Sequence, residues 1–115
     1  MVYEKFGQIT VRGRVYDHDI VIERGEVRKR KKGPSKKQRD KYGHTPLTPQ
    51  EAIPWKCKTL VIGTGMYGRL PVVPELEAEA ERRHVQLVIL KTKEAVEYFH
   101  AHFGPEINAI FHITC

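Results

Sequence analysis

The amino-acid sequence predicts a single α/β domain of three layers around a mixed β-sheet. An N-terminal antiparallel β meander leads into a strand–helix–strand–helix–strand succession. Three observations carry this reading. The length, 115 residues, suits one hydrophobic core. The first third holds short β-branched runs separated by glycine turns. Beyond residue 48, helical and strand periodicities alternate, which calls for parallel strands joined by crossovers. Residues 1–115 read as one domain with a basic excursion at 28–47 and no internal repeat.

Residues 8–11 alternate around Ile9 and Val11, Arg12-Gly13-Arg14 reads as a turn, and Val15-Tyr16 begins the returning strand. Residues 19–23 form a compact β run around Ile20-Val21-Ile22. Arg24-Gly25-Glu26 is a second turn, and Val27 opens another strand. In the excursion, Gly33-Pro34-Ser35 and Tyr42-Gly43-His44-Thr45-Pro46 break regular structure, with room for one helical turn over 36–41. Loops this long are uncommon in compact domains and concentrate function or disorder. Thr48-Pro49-Gln50-Glu51 has the form of a capping box with proline at the first helical position, predicting a short helix that ends at Pro54.

Thr59-Leu60-Val61-Ile62 reads as a buried strand and residues 63–68 as a glycine turn. A helix is expected over 74–84 with Leu76 and Ala80 inward, and a strand over 86–90. Thr92 is placed to cap a second helix running to about His102, with Ala95, Val96, Phe99 and Phe103 on its apolar face. Gly104-Pro105 stops it, and residues 109–113 form the last strand. The three strands of this half are nearly continuous apolar runs, as in a sheet covered on both faces.

Charge is distributed unevenly. The chain has 20 Lys+Arg and 14 Asp+Glu, a formal charge of +6. Nine of the cations fall in residues 28–41: Arg28, Lys29, Arg30, Lys31, Lys32, Lys36, Lys37, Arg39 and Lys41. The remainder is slightly acidic. A basic run of this kind has three readings: a solvated loop, a docking surface for an acidic protein partner, or a nucleic-acid contact. Tyr42 is the one ring between Val27 and Trp55, thin for a base-stacking platform. No apolar stretch approaches the roughly 20 residues of a membrane span, and the start of the chain lacks the apolar run of a signal peptide. No membrane association is expected. With two cysteines, Cys57 and Cys115, reduced thiols in a cytoplasmic protein are the plain expectation.

Residues 63–68 spell GxGxxG after a strand, but Pro71 forbids the immediate helix that a dinucleotide site needs, and the next strand ends in Lys91-Thr92 instead of an acid. No cofactor and no metal are expected. A narrower reading assigns a small anion or metabolite site to the glycine turn, with Gly63, Thr64, Gly65, Tyr67 and Arg69, and with His44 from the excursion. The competing reading makes the turn a tight packing device. Of six histidines, His44 is the leading candidate because it lies in the glycine- and proline-rich excursion. His100 and His102 point to different faces of a helix, and His112 fits a hydrogen-bonded strand residue. No catalytic residue is assigned. The enzyme alternative requires His44, Thr64 and Tyr67 in one pocket near Gly63-Thr64-Gly65.

Phe6-Gly7-Gln8-Ile9, the run from Tyr16 to Ile22, Tyr42-Gly43-His44-Thr45-Pro46-Leu47, Val61-Ile62-Gly63-Thr64-Gly65 and the ending His112-Ile113-Thr114-Cys115 occur in an order and spacing that extend over nearly the full chain. Together they resemble a small family of mostly uncharacterised prokaryotic proteins. Its eukaryotic relatives include the adipogenesis-associated domain protein and a mitochondrial complex I assembly factor. The chain is most similar to the archaeal and bacterial branch. The resemblance implies a three-layer α/β fold around a mixed sheet without an established enzymatic activity. It also implies roles in assembly or regulation through protein contacts for the eukaryotic members. The functional expectation is a non-enzymatic cytoplasmic binding or assembly domain, with nucleic-acid binding through 28–41 as the alternative.

Overall fold

The computed structural model describes residues 2–39 and 44–115. Two sheets form. Strands β1 (Val2–Lys5), β2 (Gln8–Val11) and β3 (Arg14–Tyr16) make a small antiparallel sheet in that order. The main sheet contains β4 (Ile20–Glu23), β5 (Glu26–Lys29), β6 (Thr59–Thr64), β7 (Gln86–Leu90) and β8 (Ile107–His112), in the order β5-β4-β8-β6-β7. β8 is parallel to β6 and antiparallel to β4, so the sheet is mixed. Helices α1 (Pro74–Arg82) and α2 (Thr92–Ala101) carry the two crossovers.

From β6 the chain steps outward to β7, then returns past β6 to β8. Right-handed connections in opposite directions put the two helices on opposite faces of the sheet. The buried clusters agree. Leu76 and Ala80 of α1 pack with Val21, Leu60, Ile62 and Ile110. Ala95, Val96 and Phe99 of α2 pack with Ile20, Ile22, Val61, Ala109 and Phe111, together with Val2, Ile9 and Val11 of the small sheet. Successive residues of β4, β6 and β8 alternate between these two cores, the period of a pleated strand. The three layers are α2 with the small sheet, the main sheet, and α1 with the segments that precede and follow β6.

Four local expectations are corrected. The meander divides between two sheets, and it gains the strand Val2–Lys5, too short and polar to read from periodicity. The basic excursion starts later than residue 28, because β5 extends to Lys29, and it contains a 3-10 helix over Gly33–Gln38. The helix expected after Thr48 does not form. The Glu51 side chain turns inward to Arg30, so the capping box is unmade, and the chain instead makes successive short turns (Ile53 N–H to Glu51 O, 2.9 Å; Trp55 N–H to Ile53 O, 2.9 Å). Thr92 likewise does not cap α2. Its hydroxyl donates to the His112 carbonyl at 2.6 Å and accepts from Gly65 N–H at 2.8 Å.

Candidate anion-binding cleft at one end of the main sheet

Strand direction brings the ends of several segments to one end of the main sheet. β5, β6 and β8 end there, and β4 begins there. The register pairs Ile20 with Lys29 and with Phe111, which sets Asp19 beside both Arg30 and His112. All three are polar residues at the rim of an apolar sheet, where strand pairing ends and side chains must satisfy each other.

Arg30 is buried, 3% exposed, between two carboxylates. Its Nε and Nη2 donate to Glu51 Oε1 and Oε2, each at 2.9 Å, a bidentate pair, and Nη1 donates to Asp19 Oδ2 at 2.9 Å. Nη2 also reaches the Pro46 carbonyl at 3.0 Å. Ser35, at the buried side of the 3-10 helix, donates to Glu51 Oε2 at 2.5 Å. Its single hydroxyl proton is thereby used, so the 2.7 Å contact with Thr48 is donated by Thr48. Asp19 accepts further bonds from Ile113 N–H at 3.0 Å and from His112 Nδ1 at 2.8 Å. Burial alone would raise the Asp19 pKa. The hydrogen bond and charge of His112, then Arg30 and the Ile113 amide, outweigh it and hold the carboxyl down at about 2. Among the described residues no buried side-chain nitrogen or oxygen lacks a partner, as a low-dielectric polar network requires.

Through His112 this network borders a cleft of about 380 Å³. Lys32, Lys36 and Arg39 line it from the basic segment, His44 and Thr45 from the following loop, and His112, Thr114 and Cys115 from the end of β8. His112 donates its Nδ1–H to Asp19 in a hydrogen bond, and its Nε2 lies 3.2 Å from the Thr114 hydroxyl. No Asp or Glu is among the described lining residues. The cleft presents three cations, two imidazoles and two hydroxyls, a donor-rich set suited to an oxyanion.

The glycine turn has a different role. Its amides are committed within the chain: Gly65 to Thr92, Met66 to Thr114 O, Tyr67 and Arg69 to Cys115 O, Gly68 to Gly65 O, and Leu70 to Thr64 O. A Cβ on Gly63 would stand 2.9 Å from Thr92 Oγ1, and one on Gly65, whose φ is +101°, would overlap the Cys115 carbonyl. Close packing on Thr92 and Phe111 demands the first glycine, and close packing on His112 and Cys115 demands the second. The sheet order reverses at β6, and the crevice outside such a strand is the usual ligand position in open α/β sheets. Here the chain's own Thr114 and Cys115 accept the amides of the turn, and the same two residues line the cleft.

The residues singled out by sequence thus separate. His44 and the cations Lys32, Lys36 and Arg39 meet in the cleft. Gly63, Thr64, Gly65, Tyr67 and Arg69 do not line it. Thr64 donates to the Leu90 carbonyl at 3.0 Å, while exposed Tyr67 and Arg69 stack on each other. The trio His44, Thr64 and Tyr67 proposed for an enzyme is not assembled around this cleft. Arg30 is corrected from a partner contact to a buried structural cation. Arg28 donates to the Ala52 carbonyl at 2.6 Å, and Lys29 and Lys31 are exposed. Lys41 and the Lys37 side chain lie outside the described residues. Both thiols are free, and burial pushes that of Cys57 up. Among the described residues no group of three or more His, Cys, Asp or Glu could hold a metal, and no helix is long and apolar enough to cross a membrane.

Sequence reasoning missed Asp19, Glu51, Ser35 and Thr48. A signal for one pair was present. Counting outward from a two-residue Arg24-Gly25 turn sets residue 19 opposite residue 30.

The fold and cleft define a three-layer α/β domain with a basic site at one end of a mixed sheet. The chain belongs to the family described as protein of unknown function (DUF498/DUF598), whose model matches residues 3–109. It is similar to the conserved hypothetical protein PH1505 of Pyrococcus horikoshii OT3, at 31% identity and a TM-score of 0.85, covering 100% of this chain and 99% of that one. It is also similar to the protein MT938, at 28% identity and a TM-score of 0.74, covering 100% and 98%. An outer membrane protein from Bartonella henselae shares the fold at 12% identity, with a TM-score of 0.67 over 98% and 92% of the two chains. The expected family of uncharacterised proteins and the three-layer fold are both borne out.

Proposed function

We propose that this domain is a cytoplasmic binding module, not an enzyme, and that its cleft captures a small oxyanion, a phosphate or carboxylate group carried by a metabolite or displayed by a partner protein. The observation that supports this is the convergence of Lys32, Lys36, Arg39 and His44 on His112, which Asp19 holds in a fixed orientation. A cation set mounted on a rigid buried network loses little freedom on binding, which favours affinity. The experiment is a calorimetric titration with inorganic phosphate, then with a sugar phosphate and an acidic peptide. The triple variant Lys32→Gln, Lys36→Gln, Arg39→Gln should weaken phosphate binding at least tenfold, given about 1.5–3 kcal/mol per charged hydrogen bond, with an unchanged melting midpoint. Undiminished binding by the triple variant overturns the reading. Tighter binding of the peptide than of either phosphate favours the partner-protein form. Duplex DNA supplies the nucleic-acid arm: three phosphate contacts would give a log–log salt slope of about −2.7.

A further inference from the structure

A second cavity lies on the opposite side of the molecule from α1, where the small sheet meets α2. It measures about 450 Å³, within the ~300–1,000 Å³ typical of small-molecule sites. Val2, Val11, Ile22, Phe99 and Phe103 form its walls, and the polar side chains on it are those of Arg12 and His100. Phe103 is 64% exposed and stands edge-on to Phe99 at 5.5 Å, a large ring left over an apolar hole.

Both polar groups are donors. Arg12 and Gly13 form the two-residue turn between β2 and β3, and Arg12 holds φ +50°, a left-handed conformation that costs a non-glycine residue about 1–2 kcal/mol. Its guanidinium bonds the Gly25 carbonyl of the neighbouring hairpin turn, tying the two turns together beside the cavity. Four of the five guanidinium N–H groups remain beyond that bond. His100 Nε2 accepts the Val2 N–H at 2.8 Å, which places the proton of the neutral ring on Nδ1 as a further donor. A second depression, lined by Arg24, Gly25 and Phe103 among others, adjoins the first and brings another arginine to the region. No acid is among the described residues that line either one.

We propose that this cavity binds an amphipathic carboxylate, its apolar body between Val2, Val11, Ile22, Phe99 and Phe103 and its carboxylate on Arg12 and His100. The site is separate from the basic cleft and shares no lining residue with it.

The test uses octanoate, decanoate and decanol below their micellar concentrations, with binding measured by calorimetry and located by amide and methyl chemical shifts. Decanoate should bind saturably, each added methylene should tighten binding about two- to fourfold, and decanoate should exceed decanol at least tenfold. Shifts should centre on Val11, Gly25 and Phe103. Arg12→Gly is the informative variant, because glycine accepts the left-handed turn and preserves the fold. It should abolish the preference for decanoate over decanol while retaining the dependence on chain length. Phe103→Glu, at an exposed position, should weaken decanoate as well. Absence of saturable binding, affinity independent of chain length, or shifts centred on His44 and Thr114 would each overturn the proposal.

Discussion

Arg30 and Lys36 come from the same basic run yet do opposite work. Arg30 is enclosed by Asp19, Glu51 and the Pro46 carbonyl, and its charge is spent inside the domain. Lys36 sits on the exposed side of the 3-10 helix and lines the cleft. Ser35, between them, turns inward onto Glu51. A run of like charges that would repel itself in solution is thus anchored by its inner members, so that its outer members are held in place at the cleft. The difference shows that charge density alone does not identify a binding surface. The carboxylates opposite each cation decide whether it is structural or available.

The sharpest way to break this contrast is Arg30→Ala. It leaves Asp19 and Glu51 buried without their cation, so unfolding free energy should fall by about 3–5 kcal/mol in urea titrations. A loss below 1 kcal/mol would show that the network contributes little. The next effect is acid sensitivity. Asp19 has a folded pKa of about 2 against an ordinary 3.8, so its contribution is complete above pH 4 and disappears as pH falls from about 4 to 2. That contribution should be about 2 kcal/mol, and Asp19→Asn should flatten the stability profile across the same window. Ser35→Ala should cost about 1–3 kcal/mol, by removing the donor to buried Glu51 and the acceptor for Thr48. The smallest effect belongs to Lys36→Gln, which should change stability by less than about 0.5 kcal/mol while weakening phosphate binding. A large loss of stability there would erase the distinction between inner and outer cations.

Much of the architecture was legible in the chain. Apolar runs marked β6, β7 and β8, and helical spacing marked Leu76 with Ala80 and Ala95 with Phe99, because each element buries a face set by its own period. The glycine turn was correctly placed after β6, but its purpose was not. Whether an amide faces a ligand or a neighbouring strand depends on residues 112–115, far away in sequence. The two halves of the cleft, the basic segment and His44, were both singled out without any sign that His112 joins them. The buried network was missed for the same physical reason. Glu51 at a capping-box position and Arg30 in a lysine-rich run each carry a strong local meaning, and tertiary pairing overrides both.

The position of β8 has a consequence for how the protein is made. Its residues are among the last in the sequence, yet it lies at the centre of the main sheet, between β4 and β6. Until it is synthesised, the backbone edges of β4 and β6 that it will cover have no partner, and Asp19 awaits both His112 and the Ile113 amide. A nascent chain emerges from the ribosome N-terminus first, so the main sheet must remain unfinished until residues 107–112 have been made. Such open edges are the surfaces on which strands of different molecules join. Late insertion of the central strand makes the newborn polypeptide, rather than the mature domain, the form most exposed to aggregation.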